Sequence, residues 1–144
     1  MDERALPAGY RLAEGPPSVA DYLHLRVSTG LSPRRRDQAE AALAGSWAAV
    51  HVAHELDGTT VGMGRLLGDG GWYFHVVDMA VLPGHQRRGL GDVILSELLE
   101  RIRREAPAGA HVNLIADGPG HRLYARHGFA PTAPASIGMA LTLD

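Results

Sequence analysis

The chain is 144 residues long, which suits one ordinary domain and leaves little room for a second. Hydrophobic residues make up 45% of it and charged residues 21%, so we expect a folded core rather than a disordered chain. The net charge of −2 argues against broad nucleic-acid binding, and the absence of cysteine excludes disulfides, thiol nucleophiles and cysteine metal sites.

The sequence also bears on location and on metal binding. No apolar stretch approaches the ~18–20 residues that a membrane-spanning helix needs. Residues 1–7 lack the continuous apolar segment of a secretion signal. The histidines show no metal-binding spacing such as His-Glu-x-x-His, so we expect no metal site. We therefore expect one cytoplasmic domain over residues 1–144, with no membrane or nucleic-acid partner.

The N-terminal part predicts a strand followed by a helix. Residues 9–14 read as a short strand that a Gly-Pro-Pro sequence ends. Ser18 stands three residues before Asp21, a spacing that resembles a capping box. We expect a helix from this point with one apolar side, ending near Gly30.

A second helix and three strands follow. Ser32 before Pro33 predicts the cap and first position of a helix that stops at Gly45. Alternating apolar residues then predict three strands, at Trp47–Glu55, Thr60–Leu67 and Trp72–Leu82. The Asp57-Gly58 pair and the glycine-rich residues 68–71 are short connections, so neighbouring strands should be antiparallel.

The hydrophobic period changes to that of a helix at Gly89. Apolar residues spaced near 3.6 predict a long amphipathic helix that ends at residues 106–109. We then expect a strand at His111–Ala116, a short helix from Asp117 to Gly128, and two last strands at 129–132 and 137–143. The predicted order is β-α-α-β-β-β-α-β-α-β-β, a mixed α/β domain.

One segment carries a chemical signal, because a strand leads through a basic, glycine-containing loop into the long helix. Unpaired N–H groups and the helix dipole at such a helix start bind phosphate. Gly89 and Gly91 allow close approach to the main chain, while Arg87 and Arg88 add positive charge. The loop matches neither a Walker loop nor a dinucleotide fingerprint. Glycines that serve only packing, with a solvated arginine rim, are the alternative, but the flanking strand and helix favour anion binding.

The segment Gln86-Arg87-Arg88-Gly89-Leu90-Gly91 resembles the acyl-CoA pyrophosphate loop of the GNAT superfamily of N-acetyltransferases. The preceding Ala80-Val81-Leu82-Pro83 is similar to that family's fourth strand, and the later Leu123–Phe129 segment to its Y-x-x-x-G-F signature. The resemblance implies a mostly antiparallel central sheet flanked by helices. It also implies a bulge in strand four and splayed strands four and five, with a gap between them for the pantetheine arm.

The same resemblance implies a set of cofactor-binding residues for acetyl-CoA. The pantetheine arm would pair with the backbone of strand four at Met79, Ala80 and Val81. The loop and the first turn of the long helix would hold the pyrophosphate, and they comprise Gln86, Arg87, Arg88, Gly89, Leu90, Gly91 and Asp92.

The resemblance also implies catalytic candidates. Tyr124 matches the tyrosine that often protonates the departing thiolate, although packing of the short helix is the alternative reading. His75 lies where several family members place a base, while a surface or core histidine without a catalytic role is the alternative. Asp78 and a water chain compete with His75 for the role of proton acceptor. Regular alternation would place Asp78 on the face opposite His75, but the expected bulge makes this facing uncertain. Asp78 could equally recognise a cationic amine or brace a loop.

The sequence thus predicts an acetyl-CoA-dependent N-acetyltransferase. The acceptor would be a primary amine of a small molecule or peptide, attacking directly in a ternary complex. One alternative is a non-catalytic GNAT-fold module that binds acyl-CoA and reports it to a partner. Another is an acyltransferase for a different acyl chain or acceptor. A homodimer formed through the apolar segment Ile137–Leu141 is a further possibility.

Overall fold

The computed structural model describes residues 5–144, so the first four of the residues inspected for a secretion signal lie outside its description. Five strands and four α-helices occur within this range. They are β1 (Tyr10–Glu14), α1 (Val19–Ser28), α2 (Arg36–Ala44), β2 (Ala48–His54), β3 (Thr60–Gly68), β4 (Tyr73–Val81), α3 (Leu90–Glu105), β5 (His111–Asn113) and α4 (His121–Arg126). Short 3₁₀ turns precede α3 and α4, at Pro83–His85 and Gly118–Gly120.

The strands form one sheet in the order β1-β2-β3-β4-β5. The first three pairs of neighbours are antiparallel, while β4 and β5 are parallel. A parallel pair needs a crossover, and α3 supplies it. The mixed α/β class with a mostly antiparallel sheet is therefore confirmed.

Helices cover both faces of the sheet. On one face, α1 and α2 pack on β3 and β4 through a buried cluster that contains Tyr22, Leu25, Leu43, Met63 and Ala80. On the other face, α3 lies so close that a Cβ atom on Gly64 would come within 2.7 Å of the Ile94 side chain. The two faces are thus distinct, and each residue of β4 can be assigned to one of them.

Helix α1 begins at the N-cap that the sequence predicts, and helix α2 does not. Ser18 caps α1 as predicted, since its side chain accepts a hydrogen bond from the Asp21 N–H at 3.1 Å. The predicted cap at Ser32 is wrong, because α2 begins at Arg36. The carbonyl and hydroxyl of Ser32 accept instead from the guanidinium of Arg26, at 2.8 and 3.0 Å. Ser32 therefore binds Arg26, six residues earlier in the chain, and does not cap α2.

The described chain divides into two compact units, and the prediction of a single domain stays a prediction. The first unit ends at Leu114 and contains the whole sheet. The second unit, Ile115–Asp144, contains α4. The two strands predicted at 129–132 and 137–143 are wrong for this structure, because no strand follows β5 within residues 5–144. Pro131 and Pro134 offer no N–H to a ladder, and Ile137 and Met139 are 72% and 86% exposed rather than packed.

Candidate active site

Strand β4 carries the bulge that the sequence analysis expected. Met63 of β3 lies opposite Ala80, but Arg65, two residues on, lies opposite Val77, so β4 has one residue more than its partner. Asp78 falls in this interval and has a φ of +58°. Aspartate is one of the few non-glycine residues that adopt the left-handed region with modest strain.

The bulge places Asp78 on the same face as His75. His75 and Val77 lie opposite Leu67 and Arg65, so alternation puts them on one face. Asp78 reaches that face too, because its carboxylate contacts α1. The two candidate bases thus share the face that α1 and α2 cover, which a regular strand would not allow.

Asp78 is the centre of a buried charged network. Its carboxylate accepts from Arg26 at 2.5 Å and from the Nε and Nη2 atoms of Arg65 at 2.9 and 2.8 Å. The hydroxyl of Tyr22 donates to it as well. The side chains of Arg26, Arg65 and Asp78 are 8%, 6% and 6% exposed. Burial, followed by the hydrogen bond to Asp78, raises the pKa of Tyr22, so its phenol remains a donor.

The β4 edge that faces β5 is paired for only part of its length. Pairing with β5 covers Tyr73, Phe74 and His75, and β4 continues to Val81. Within the described residues no strand pairs with β4 on this side beyond His75. Met79, Ala80 and Val81, the predicted contacts of the pantetheine arm, lie in this unpaired stretch. Their edge is therefore in the arrangement that an added extended chain requires.

In the loop between β4 and α3, the backbone angle φ alternates in sign from residue to residue. Arg87 has a φ of +62° and Gly89 a φ of +83°, with a residue of negative φ between them. Such alternation turns successive N–H groups toward one concavity, which is an anion-binding nest. Gly89 is also the N-cap of α3 and has no side chain to cap the helix, and the positive end of the helix dipole at this point favours an anion.

Other predicted loop residues have different environments. The Gln86 side chain donates to the carbonyl of Val81 at 3.0 Å, which ties the loop to the end of β4. Arg88 donates to the hydroxyl of Tyr10 at 2.8 Å. Leu90 and Asp92 are buried in the first turn of α3, and Leu90 in particular belongs to the core. Its contribution to ligand binding would therefore come from its main chain.

His75 belongs to a hydrogen-bonded group at the paired end of β4 and β5. The Nδ2 atom of Asn113 donates to the Tyr73 hydroxyl at 2.6 Å and to His111 Nε2 at 3.3 Å. Its Oδ1 atom lies 2.6 Å from His75 Nδ1 and must accept there. This pattern assigns the proton of the neutral His75 ring to Nδ1 and leaves Nε2 as the acceptor.

The second unit carries Tyr124 on α4. The ring packs edge-on against Phe129, with centroids 6.1 Å apart. Burial, and then the negative charge of Asp117, raise the pKa of the Tyr124 phenol above its ordinary value. The phenol is therefore protonated at neutral pH, which is the state a proton donor requires.

The described residues also bear on metal binding and membrane insertion. Among residues 5–144 no group of three or more His, Cys, Asp or Glu side chains is placed to hold a metal ion. None of the helices in that same range is both long enough and apolar enough to cross a membrane.

An open groove lies at the C-terminal end of α3, lined by Leu99, Ile102, Arg103, Pro107 and Val112. Because Gly89 is at the other end of this helix, the groove is not part of the candidate site.

Sequence reasoning missed three residues that complete these networks. Tyr10 and Asn113 belong to predicted strands, and Arg65 carries no motif signal. Each meets its partner across 13 to 78 residues of chain. A polar residue at the start or middle of an otherwise apolar strand was the available signal, and Arg65 in Gly-Met-Gly-Arg-Leu-Leu is the clearest example.

The comparisons with known proteins point in one direction. Residues 46–131 match a family model described as an acetyltransferase (GNAT) domain. A probable acetyltransferase of unknown function from meticillin-resistant Staphylococcus aureus, whose crystal structure is solved, is 35% identical, with 93% of this chain and 99% of that chain covered and a TM-score of 0.87.

More distant structures share the fold. A GNAT family acetyltransferase from Streptococcus pneumoniae is 23% identical over 94% of this chain and 98% of its own, with a TM-score of 0.75. Glucosamine-6-phosphate N-acetyltransferase from Arabidopsis thaliana is 13% identical over 94% and 99% of the two chains, with a TM-score of 0.70. No curated protein matched the chain.

Proposed function

Because the chain belongs to the GNAT family of acetyltransferases, we propose that it transfers the acetyl group of acetyl-CoA to a primary amine of a small molecule or peptide. The observation that carries this proposal is the alternating backbone conformation of Arg87–Gly89, followed by the N-terminus of α3 with a glycine as its N-cap. A diphosphate fits such a loop because fixed N–H dipoles and the helix dipole both favour an anion. The unpaired edge of β4 supports the same proposal, since an amide-containing arm can add to it as a strand.

The proposed reaction is direct attack without an acyl-enzyme. The neutral amine attacks the thioester carbonyl, the carbon–sulfur bond breaks, and the amine loses one proton while the thiolate gains one. Main-chain N–H groups of the bulged strand, at Met79 or Ala80, would stabilise the negative oxygen that forms during attack. Tyr124 would donate a proton to the departing thiolate.

We assign the proton acceptor to His75 rather than to Asp78. The Nε2 atom of His75 accepts no hydrogen bond within the described residues, and Asn113 fixes the tautomer that exposes it. Both oxygens of Asp78 already accept from arginine and tyrosine donors. Asp78 would therefore shape the bulge and the face of the sheet that α1 and α2 cover, while His75 removes the proton from the amine.

The direct test is binding and turnover with acetyl-CoA. We expect calorimetry to show saturable binding of acetyl-CoA, and a panel of primary amines to include some that accelerate release of free CoA thiol. Folded protein that binds no acetyl-CoA at millimolar concentration would overturn the proposal. Binding without turnover on any amine, with Tyr124→Phe and His75→Ala indistinguishable from the wild type, would instead identify the non-catalytic module. Acyl-CoA esters of longer chains distinguish the remaining alternative.

The orientation of His75 yields a prediction about Asn113. We expect Asn113→Ala to lower kcat about tenfold or more while the KM for acetyl-CoA changes little, because His75 loses the acceptor that fixes its ring. We expect Asn113→Asp to retain activity and to move the acid-side fall of the rate to higher pH. A carboxylate next to Nδ1 stabilises the protonated imidazole, so the neutral base is lost at a higher pH. Steady-state kinetics measured over a range of pH test the expected results for both variants.

The control for this prediction is His24→Ala, which alters an exposed histidine on α1. It should leave the pH profile in place. If Asn113→Asp and the wild type have the same acid-side profile, then His75 is not the group that Asn113 orients for proton removal.

A further inference from the structure

A second cluster of titratable side chains lies against the loop before α3, away from His75 and Asp78. It consists of Tyr10 on β1, His54 at the end of β2, and His85 and Arg88 in the connection from β4 to α3. The ring centroids of Tyr10 and His85 are 5.6 Å apart, and those of His54 and His85 are 5.1 Å apart. Tyr10 is 6% exposed, so the cluster has a buried anchor.

Two hydrogen bonds join this cluster in a fixed direction. Arg88 can only donate, so the Tyr10 oxygen accepts from its Nη1 atom at 2.8 Å. The Tyr10 hydroxyl hydrogen is then directed to His85 Nδ1, at 2.7 Å. That nitrogen can accept only when the ring is neutral and carries its one proton on Nε2. The two hydrogen bonds that connect Arg88, Tyr10 and His85 therefore both form only when His85 is neutral.

The charges around His85 favour the same state. Burial lowers the pKa of His85 most, His54 and Arg88 lower it further, and Asp57, in the turn after β2, raises it. His54 Nδ1 lies 3.7 Å from the Asp57 carboxylate. Because the neutral form is favoured in the folded protein, the arrangement is intact above the ordinary histidine pKa and is lost as the pH falls through the lowered value.

We propose that Tyr10 and His85 are positioning residues that hold Arg88 and the 86–89 loop in the shape that binds the diphosphate of CoA, and that protonation of His85 releases this hold. The inference rests on the proposed function and extends it to residues outside the loop motif. Tyr10 on β1 is hydrogen-bonded to both His85 and Arg88, so it joins two points of this connection to the sheet. Loss of its hydroxyl removes two hydrogen bonds and keeps the ring contacts.

The probe is dephospho-CoA, which has the diphosphate but not the 3′-phosphate monoester, whose own second pKa near 6 would confuse a pH series. We expect Tyr10→Phe to weaken its binding about tenfold at about pH 8, because hydrogen bonds to charged groups are the stronger class. In steady state the same variant should raise the KM for acetyl-CoA by a similar factor and leave kcat nearly unchanged. A merely structural role for Tyr10 would lower kcat and the melting temperature together instead.

The pH arm uses a variant of His85. Asparagine places an acceptor oxygen near the former Nδ1 position and does not titrate, so His85→Asn should bind more tightly than Tyr10→Phe at about pH 8. We expect the wild type to lose about threefold or more in affinity between about pH 8 and about pH 5, and His85→Asn to lose less. His24→Asn, an exposed histidine outside this cluster, should follow the wild type at both values.

Two results would overturn the inference. The first is Tyr10→Phe binding dephospho-CoA within twofold of the wild type. The second is His85→Asn showing the full pH dependence of the wild type. A wild-type protein that binds neither dephospho-CoA nor acetyl-CoA would contradict the proposed function itself, so the two failures are distinguishable.

Discussion

Substituting Asp78 with asparagine is expected to lower the free energy of unfolding by about 3–5 kcal/mol, a fall of roughly 10 °C or more in melting temperature. The carboxylate is the shared partner of Arg26 and Arg65, whose side chains are 8% and 6% exposed. Removing its charge leaves two buried guanidinium groups without their counterion. Asparagine tolerates the left-handed backbone at this position as well as aspartate does, so the bulge itself is not strained by the change.

Thermal and denaturant unfolding measure this effect, and Asp37→Asn is the matched control. Asp37 pairs with Arg35 on the surface of α2, where both side chains are 72% exposed. Its replacement should leave the unfolding midpoint within experimental error, because exposed ion pairs contribute little. The comparison also separates the two candidate bases. If Asp78→Asn retains the wild-type stability and loses all activity, then Asp78 and not His75 is the group that takes the proton.

Features set by neighbouring residues could be predicted from the sequence. The Asp57-Gly58 turn forms as expected, with Gly58 at a φ of +74° and the Asp57 carboxylate accepting from the Thr59 N–H. The long helix begins at the predicted Gly89, since its amphipathic period and its glycine start are both local signals. The cap at Ser18 is local for the same reason.

Features set by distant partners could not be predicted in this way. The bulge was expected only through the family resemblance, and nothing near Asp78 in the sequence shows that its counterions come from α1 and β3. Ser32 has the sequence of a cap, yet its polar atoms serve Arg26. The alternating apolar residues at 137–143 suit a strand, but a strand needs a partner edge, and periodicity alone does not supply one.

Replacing Tyr124 with phenylalanine is expected to lower kcat about 100-fold near neutral pH while acetyl-CoA still binds. The ring contact with Phe129 does not depend on the hydroxyl, so α4 should keep its packing. Without the phenol, the sulfur must leave as a thiolate and take its proton from water. A thiolate leaves less readily than the neutral thiol, which has a pKa near 8.5 and is the stable product at neutral pH.

The pH dependence of this defect distinguishes proton donation from packing. As the pH rises past about 8.5, CoA is stable as its thiolate, so the missing donor matters less and the ratio of wild-type to Tyr124→Phe kcat should fall. The wild-type donor is not itself lost in this range, because burial and Asp117 raise the pKa of Tyr124 above its ordinary value of 10.0. A ratio that stays constant between about pH 7 and about pH 9.5 would assign the hydroxyl a structural role. Equal kcat values at every pH would remove Tyr124 from the mechanism.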